Sequence, residues 1–180
     1  LLGKLPAFTG YYLAGGTAIA LQLGHRQSVD FALFTDQPIR AGLLDQVEQQ
    51  LAPMEVAPLV NNADELTIMV GDTKLSFIHY PFPVLEDSVD LAGVQALTIS
   101  ELAATKAYTI GRRGSLKDYV DLYTIVSGGH SSLKAIIELA SQKYGEVFNG
   151  RLFLEQLVWL DDIEDEPILF LGPPVTKIEI

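Results

Sequence analysis

The chain has 180 residues, a net charge of −11 from 12 basic and 23 acidic residues, and no cysteine. A disulfide framework, a thiolate metal site and a thiol nucleophile are therefore excluded. With 48% hydrophobic and 19% charged residues the composition is globular rather than disordered. Its acidic surface repels nucleic acid and anionic membrane except at a local basic patch. No apolar run approaches the ~18 residues of a membrane span, and no basic segment precedes an apolar stretch. A cytoplasmic protein that neither enters a membrane nor wraps extended DNA is expected.

Tyr11 to Ala14 reads as a short strand, stopped by Gly15-Gly16. Thr17 to Leu23 follows as a helix ending at Gly24. Ser28 to Phe34 reads as a second strand, with Val29, Phe31 and Leu33 on one face and Asp30 and Ala32 on the other. Asp36-Gln37-Pro38 is a helix-start signal for a helix running to Leu51, before Pro53. Leu66–Val70 and Lys74–Tyr80 flank Gly71-Asp72-Thr73 and predict a hairpin.

From there on the pattern is helical. Thr98 with Glu101, and Ser115 with Asp118, form two capping boxes. The first opens a helix through Lys106 to about Arg112. The second opens a helix that stops at Gly128-Gly129. Ser131 or Ser132 caps a third, to about Tyr144, and Asn149 caps a fourth over Gly150 to Leu160. Strands and helices mix up to about residue 95 and helices follow, an α+β pattern. The expected organisation is an α/β core over 1–95 and a helical subdomain over 96–180.

Two constellations carry chemistry. In the first, Gly15-Gly16-Thr17 makes a tight strand-to-helix turn whose backbone N–H groups can meet a phosphate. A strand about a dozen residues later offers Asp30 to a cation riding on that phosphate. A Gly-Gly turn between strand and helix also exists without any ligand. The second is basic: Lys106, Arg112, Arg113 and Lys117 are four of the chain's 12 cations. Lys106 and Arg113, seven apart, share a helical face that suits triphosphate oxygens. The alternative is a solvated helix end, with Asp118 as a capping acid and Asp121 paired with Lys117. His25 lies in the glycine-bounded turn, within reach of phosphate or acceptor or simply on the surface. His79 reads as a structural strand residue and His130 as a surface one. No zinc spacing links the three. The acidic run from Asp161 to Glu166 reads as a solvated turn.

The run Tyr12-Leu13-Ala14-Gly15-Gly16-Thr17-Ala18, then Leu21 to Arg26, then Ser28-Val29-Asp30-Phe31, resembles the first motif of the AbiEii/AbiGii toxin-type nucleotidyltransferases. These are similar to the wider polymerase-β-like superfamily. Glu101 to Ala107, Arg112-Arg113 and Lys117 to Tyr123 resemble that family's helical motif, and Lys74 to Pro81 its hairpin strand. The resemblance implies a nucleotidyltransferase-like mixed sheet flanked by helices, followed by a helical C-terminal half. It also implies an NTP with Mg2+, transfer to an RNA (tRNA) or protein acceptor, and a toxin role with an antitoxin. On this basis Asp30 (also the metal ligand), Lys106 and Asp118 are the expected catalytic residues. Gly15, Gly16, Thr17, Arg26, Ser28 and Arg113 are the expected nucleotide-binding ones.

One position departs from the family. The pattern has aspartates at i and i+2 on the strand after Ser-Val; here Asp30 is followed by Ala32. Alternate strand residues point the same way, so such a pair would share a metal site. Ser76 stands on the hairpin strand where a third acid would sit. The competing expectation is thus a degenerate member that acts as a nucleotide-binding or interaction module.

Overall fold

The computed structural model describes residues 6–180. Strand β1 (Tyr12–Ala14) runs straight into helix α1 (Gly15–Leu23), which ends on the left-handed Gly24. Strand β2 (Phe31–Thr35) returns antiparallel to β1, with Ala14 opposite Ala32. Helix α2 (Leu43–Leu51) leads to a meander of β3 (Val56–Asn61), β4 (Glu65–Val70) and β5 (Thr73–His79). A short hairpin, β6 (Val89–Leu91) and β7 (Val94–Ala96), closes the sheet. The order is β3-β4-β5-β2-β1-β7-β6, with β5 parallel to β2 and β7 parallel to β1.

Register and alternation give the sheet two unlike faces. Leu13, Leu33, Phe77 and Leu66 form one row across β1, β2, β5 and β4, and all are buried. The rings of Phe8 and Tyr11 pack on Phe77 at 5.3 and 5.1 Å. The adjacent row, Ala14, Ala32, Ser76 and Thr67, points to the other side. There the side chains are small or polar, and the sheet leaves room for a cleft.

Four helices follow: α3 (Ile99–Arg113), α4 (Leu116–Ser127), α5 (Leu133–Tyr144) and α6 (Gly150–Leu157). Ser132 and Asn149 cap α5 and α6 through their side chains. Ala103, Ala104 and Ala107 are fully buried on α3, which packs against α1, α4, α5 and α6. The capping box at Ser115 and Asp118 forms in full. The one at Thr98 forms by half: Thr98 accepts from the Glu101 amide, but the Glu101 carboxylate turns inward to Lys143.

Several expectations need correction. The helix expected from Asp36-Gln37-Pro38 does not start until Leu43. The Ile39 amide donates to Ala63 O and the Arg40 guanidinium to Ala7 O, which hold this stretch away from a helical path. Gly42, at φ 76°, then turns the chain into α2. Helix α6 stops at Leu157 rather than Leu160. Strands β3, β6 and β7 were not expected. Edge strand β3 carries Pro58 and a bulge and exposes Ala57 to Leu59, so it shows no alternation. The other two have three residues each.

Candidate functional site

A cleft of about 640 Å³ opens on the polar face of the sheet, beside the first turns of α1 and α4. Gly16, Arg26, Ser28, Asp30, Lys106 and Asp118 line it together. Residues from the glycine turn, strand β2 and helix α3, far apart in sequence, thus share one cavity. Glu65, Thr67, Lys74, Ser76 and Lys117 complete much of its wall.

At its base lies a buried charge network centred on Asp121. This side chain is 0% exposed, and each oxygen has two partners. Oδ1 accepts from Arg26 Nε at 2.6 Å and His25 Nε2 at 2.8 Å. Oδ2 accepts from Arg26 Nη2 at 2.9 Å and faces Lys106 Nζ at 2.7 Å. Lys106, itself 8% exposed, also donates to Asp118 Oδ1 at 2.7 Å. Asp118 Oδ2 is taken by the amide and hydroxyl of Ser115. Burial pushes the Asp121 carboxyl upward, but Lys106, His25 and Arg26 outweigh it and hold it well below the usual carboxylate range. Burial likewise pushes Lys106 down, and Asp121 with Asp118 more than reverse this, so it stays protonated. An ionised carboxylate only accepts, so His25 carries its proton on Nε2. Its buried Nδ1 has no protein partner among the described residues.

This network corrects two readings. Asp121 does not pair with Lys117; it points into the protein, and Lys117 pairs with Glu166 at 2.7 Å. His25 is neither a surface residue nor reaching for phosphate, because it is nine-tenths buried against Asp121. The sequence hid Asp121 behind an i,i+4 pairing rule that describes exposed helix faces. Its fully apolar neighbours Val120 and Leu122 were the signal that the position is buried.

The glycine turn serves this network. A Cβ on Gly16 would lie 2.4 Å from Arg26 Nη2 and 3.3 Å from Asp121 Oδ2. Gly16 therefore lets the guanidinium pass against the helix backbone. Gly15 adopts φ 68°, a conformation that side chains rarely tolerate, with Ala32 Cβ 3.6 Å from its absent side chain. Thr17 is buried, its hydroxyl held by Ser28 Oγ at 2.8 Å and by the Asp30 carbonyl. It ties α1 to the segment 28–30 that leads into β2 and does not line the cleft.

Asp30 is half exposed and pairs with Lys74 Nζ at 3.1 Å. Beyond it, Ala32 and Ser76 face each other across β2 and β5, and Thr67 follows on β4. Thr67 Oγ1 lies 2.6 Å from Glu65 Oε1 and 2.7 Å from Ser76 Oγ, so Glu65 leans along this row. Two-metal phosphoryl chemistry needs carboxylates bridging cations ~3.5–4 Å apart. The methyl of Ala32 and the hydroxyl of Ser76 supply none, and Asp30 already holds an ammonium. Among the described residues no three His, Cys, Asp or Glu side chains group as metal ligands. The donor set does not fit a two-magnesium centre.

The C-terminal segment forms one wall. Gln27 N donates to Leu169 O at 2.7 Å and Leu171 N to His25 O at 3.0 Å, so residues 169–171 pair with 25–27 like an added strand. Glu166 accepts from the Lys117 amide at 3.0 Å, and these contacts outweigh burial to hold it below its ordinary range. The acidic run is otherwise exposed, as expected of a solvated turn, but Glu166 is part of the cleft's surroundings. The side chain of Arg113 lies outside the described residues. His79 ends β5 with Nδ1 3.0 Å from Asp64, and His130 is exposed.

Comparison with known proteins gives a consistent picture. The model of the nucleotidyl transferase AbiEii toxin family, from the type IV toxin–antitoxin system, matches residues 2–172. An uncharacterized protein of Aquifex aeolicus (strain VF5) is 32% identical over 174 residues, covering 94% of this chain and 82% of the relative. A Helicobacter pylori structure described as a candidate nucleotidyltransferase superposes with TM-score 0.56 at 17% identity, over 87% of each chain. The antibiotic-resistance factor ANT(2'')-Ia superposes with TM-score 0.51 at 13% identity, over 73% of this chain and 80% of that one. The structural likeness is one of fold.

Proposed function

The chain belongs to the AbiEii nucleotidyltransferase toxin family, and on that premise we propose that its cleft takes up a nucleoside triphosphate for transfer to an RNA or protein acceptor. The observation that carries this reading is the meeting of Gly16, Ser28, Asp30, Lys106 and Asp118 in one cavity. The first turn of α1 offers amide dipoles to phosphate. Lys106 and Arg26, held by Asp121, present preorganised positive charge at the cavity floor. Asp118, with both oxygens engaged, orients Lys106 rather than acting as a base. The reaction is in-line attack of an acceptor hydroxyl on the α-phosphorus with release of pyrophosphate, driven by positioning and charge neutralisation. The toxin role, with a cognate antitoxin, is part of the same proposal.

A second reading, favoured by Ala32, is a member that binds nucleotide without transferring it. Incubation with labelled NTPs and a pool of tRNA and protein acceptors separates them. Label transfer by the unaltered chain supports transferase function. Transfer only after Ala32→Asp supports the binding-only reading. Failure of every NTP to bind either form overturns both.

A further inference from the structure

From the same cleft we infer that Lys74, seated on Asp30, meets a polyphosphate at the rim where a divalent ion would otherwise do so, with Lys106 and Arg26 charging the floor beneath, so that phosphate binding needs no divalent ion. The inference rests on the reading that the cleft receives a nucleotide's phosphates, and it changes what holds them. Strands β2 and β5 are parallel, with Phe31 beside Leu75 and Ala32 beside Ser76. Lys74, one residue earlier on β5, and Asp30, just before β2, are neighbours at the rim of the same polar face. The ammonium lies 3.1 Å from the carboxylate, where a cation on Asp30 would sit.

The other basic groups of the cavity are placed differently. Arg26 and Lys106 are buried in the Asp121 network, and Lys117 is held by Glu166. Lys74 differs from the buried pair: its side chain is 44% exposed and rests, among the described residues, on the 55% exposed Asp30, whereas Lys117, 41% exposed, gives both its ammonium and its amide to Glu166. An ammonium has three donors. One to Asp30 leaves two for phosphate oxygens, and the strand anchors the charge close to the cavity. Ala32 leaves no second acid to share a divalent cation with Asp30, and Lys74 sets a tethered monovalent charge on the acid that is present. The ligand class is an inorganic or nucleoside polyphosphate.

The test uses inorganic triphosphate and a nucleoside triphosphate, titrated calorimetrically into the full chain in EDTA and in excess magnesium. Binding in EDTA at about the same affinity as in magnesium supports the inference. Lys74→Met should weaken it by about tenfold to a hundredfold, the loss of one charge-assisted contact. Lys74→Arg should retain most of it, and Lys134→Met, at an exposed position of α5 outside the cleft's lining, should leave it unchanged. Ala32→Asp should create a magnesium dependence that the unaltered chain lacks. If the unaltered chain binds only with magnesium, or Lys74→Met binds as well as the unaltered chain, the inference is overturned and the nucleotide reading stands. If neither compound binds in either buffer, the nucleotide reading falls, and the inference with it.

Discussion

Among the described residues two lysines are buried, and their surroundings differ in kind. Lys143 and Glu101 are both 0% exposed and 2.6 Å apart. Lys143 also donates to Pro83 O, while Glu101 accepts from the amides of Leu85 and Glu86. That pair is closed on backbone groups and clamps α3, α5 and the 83–86 loop together. Lys106 is also buried, but its network of Asp118, Asp121, Arg26 and His25 borders the cleft. Both sites obey the rule that buried charge must be paired and hydrogen-bonded. A sealed pair holds helices; one that borders a cavity can also present charge to a ligand. Burial and pairing alone therefore do not mark a functional lysine.

The comparison can be broken by substitution. Asp121→Asn leaves Arg26 and Lys106 buried without their main counter-charge. It should cost about 3–5 kcal/mol, a melting-point drop on the order of 10 °C, and should abolish triphosphate binding. Lys143→Met should destabilise by about 3 kcal/mol yet leave triphosphate affinity intact in the folded protein. Equal loss of affinity in both variants would erase the distinction. Gly16→Ala pushes a methyl into Arg26 and should cost about 1–3 kcal/mol, with weaker triphosphate binding seen by calorimetry.

Acid sharpens the same contrast. The Asp121 carboxyl lies well below its ordinary value of 3.8 when folded. Its contribution to stability is full above that value and is lost as pH falls toward the lower folded one. Urea midpoints of the unaltered chain and Asp121→Asn should therefore differ most at neutral pH and converge in strong acid. The smallest effect is expected at Glu166→Gln. Its ion pair with Lys117 is partly solvated, so stability should change by about 1 kcal/mol or less. Faster amide exchange at Gln27 and Leu171 would show that Glu166 helps hold the C-terminal wall.

Much of the fold was legible because it is written locally. Gly24 ends α1 as expected, and Thr98, Ser115, Ser132 and Asn149 each stand at a helix N-terminus. The hairpin around Gly71 was equally plain, whereas β2 begins at Phe31 rather than at the expected Ser28. Strands β3, β6 and β7 were hidden because short or edge strands carry little periodicity. The start of α2 was misread because Pro38 is as compatible with an extended connection as with a first helical turn, and tertiary hydrogen bonds of Ile39 and Arg40 chose the former.

The sequence by itself determined the α+β class, the family, and the chemical types available: one carboxylate at the edge of a strand, a glycine turn and a lysine-bearing helix. Only the tertiary structure decided how those types are spent. It buried Asp121 between Arg26 and Lys106, turned Glu101 away from its cap toward Lys143, and set Lys74 on Asp30. The reason is physical. Periodicity reports which face of an element is apolar, whereas the partner of a charge is chosen by the distance and desolvation that packing imposes.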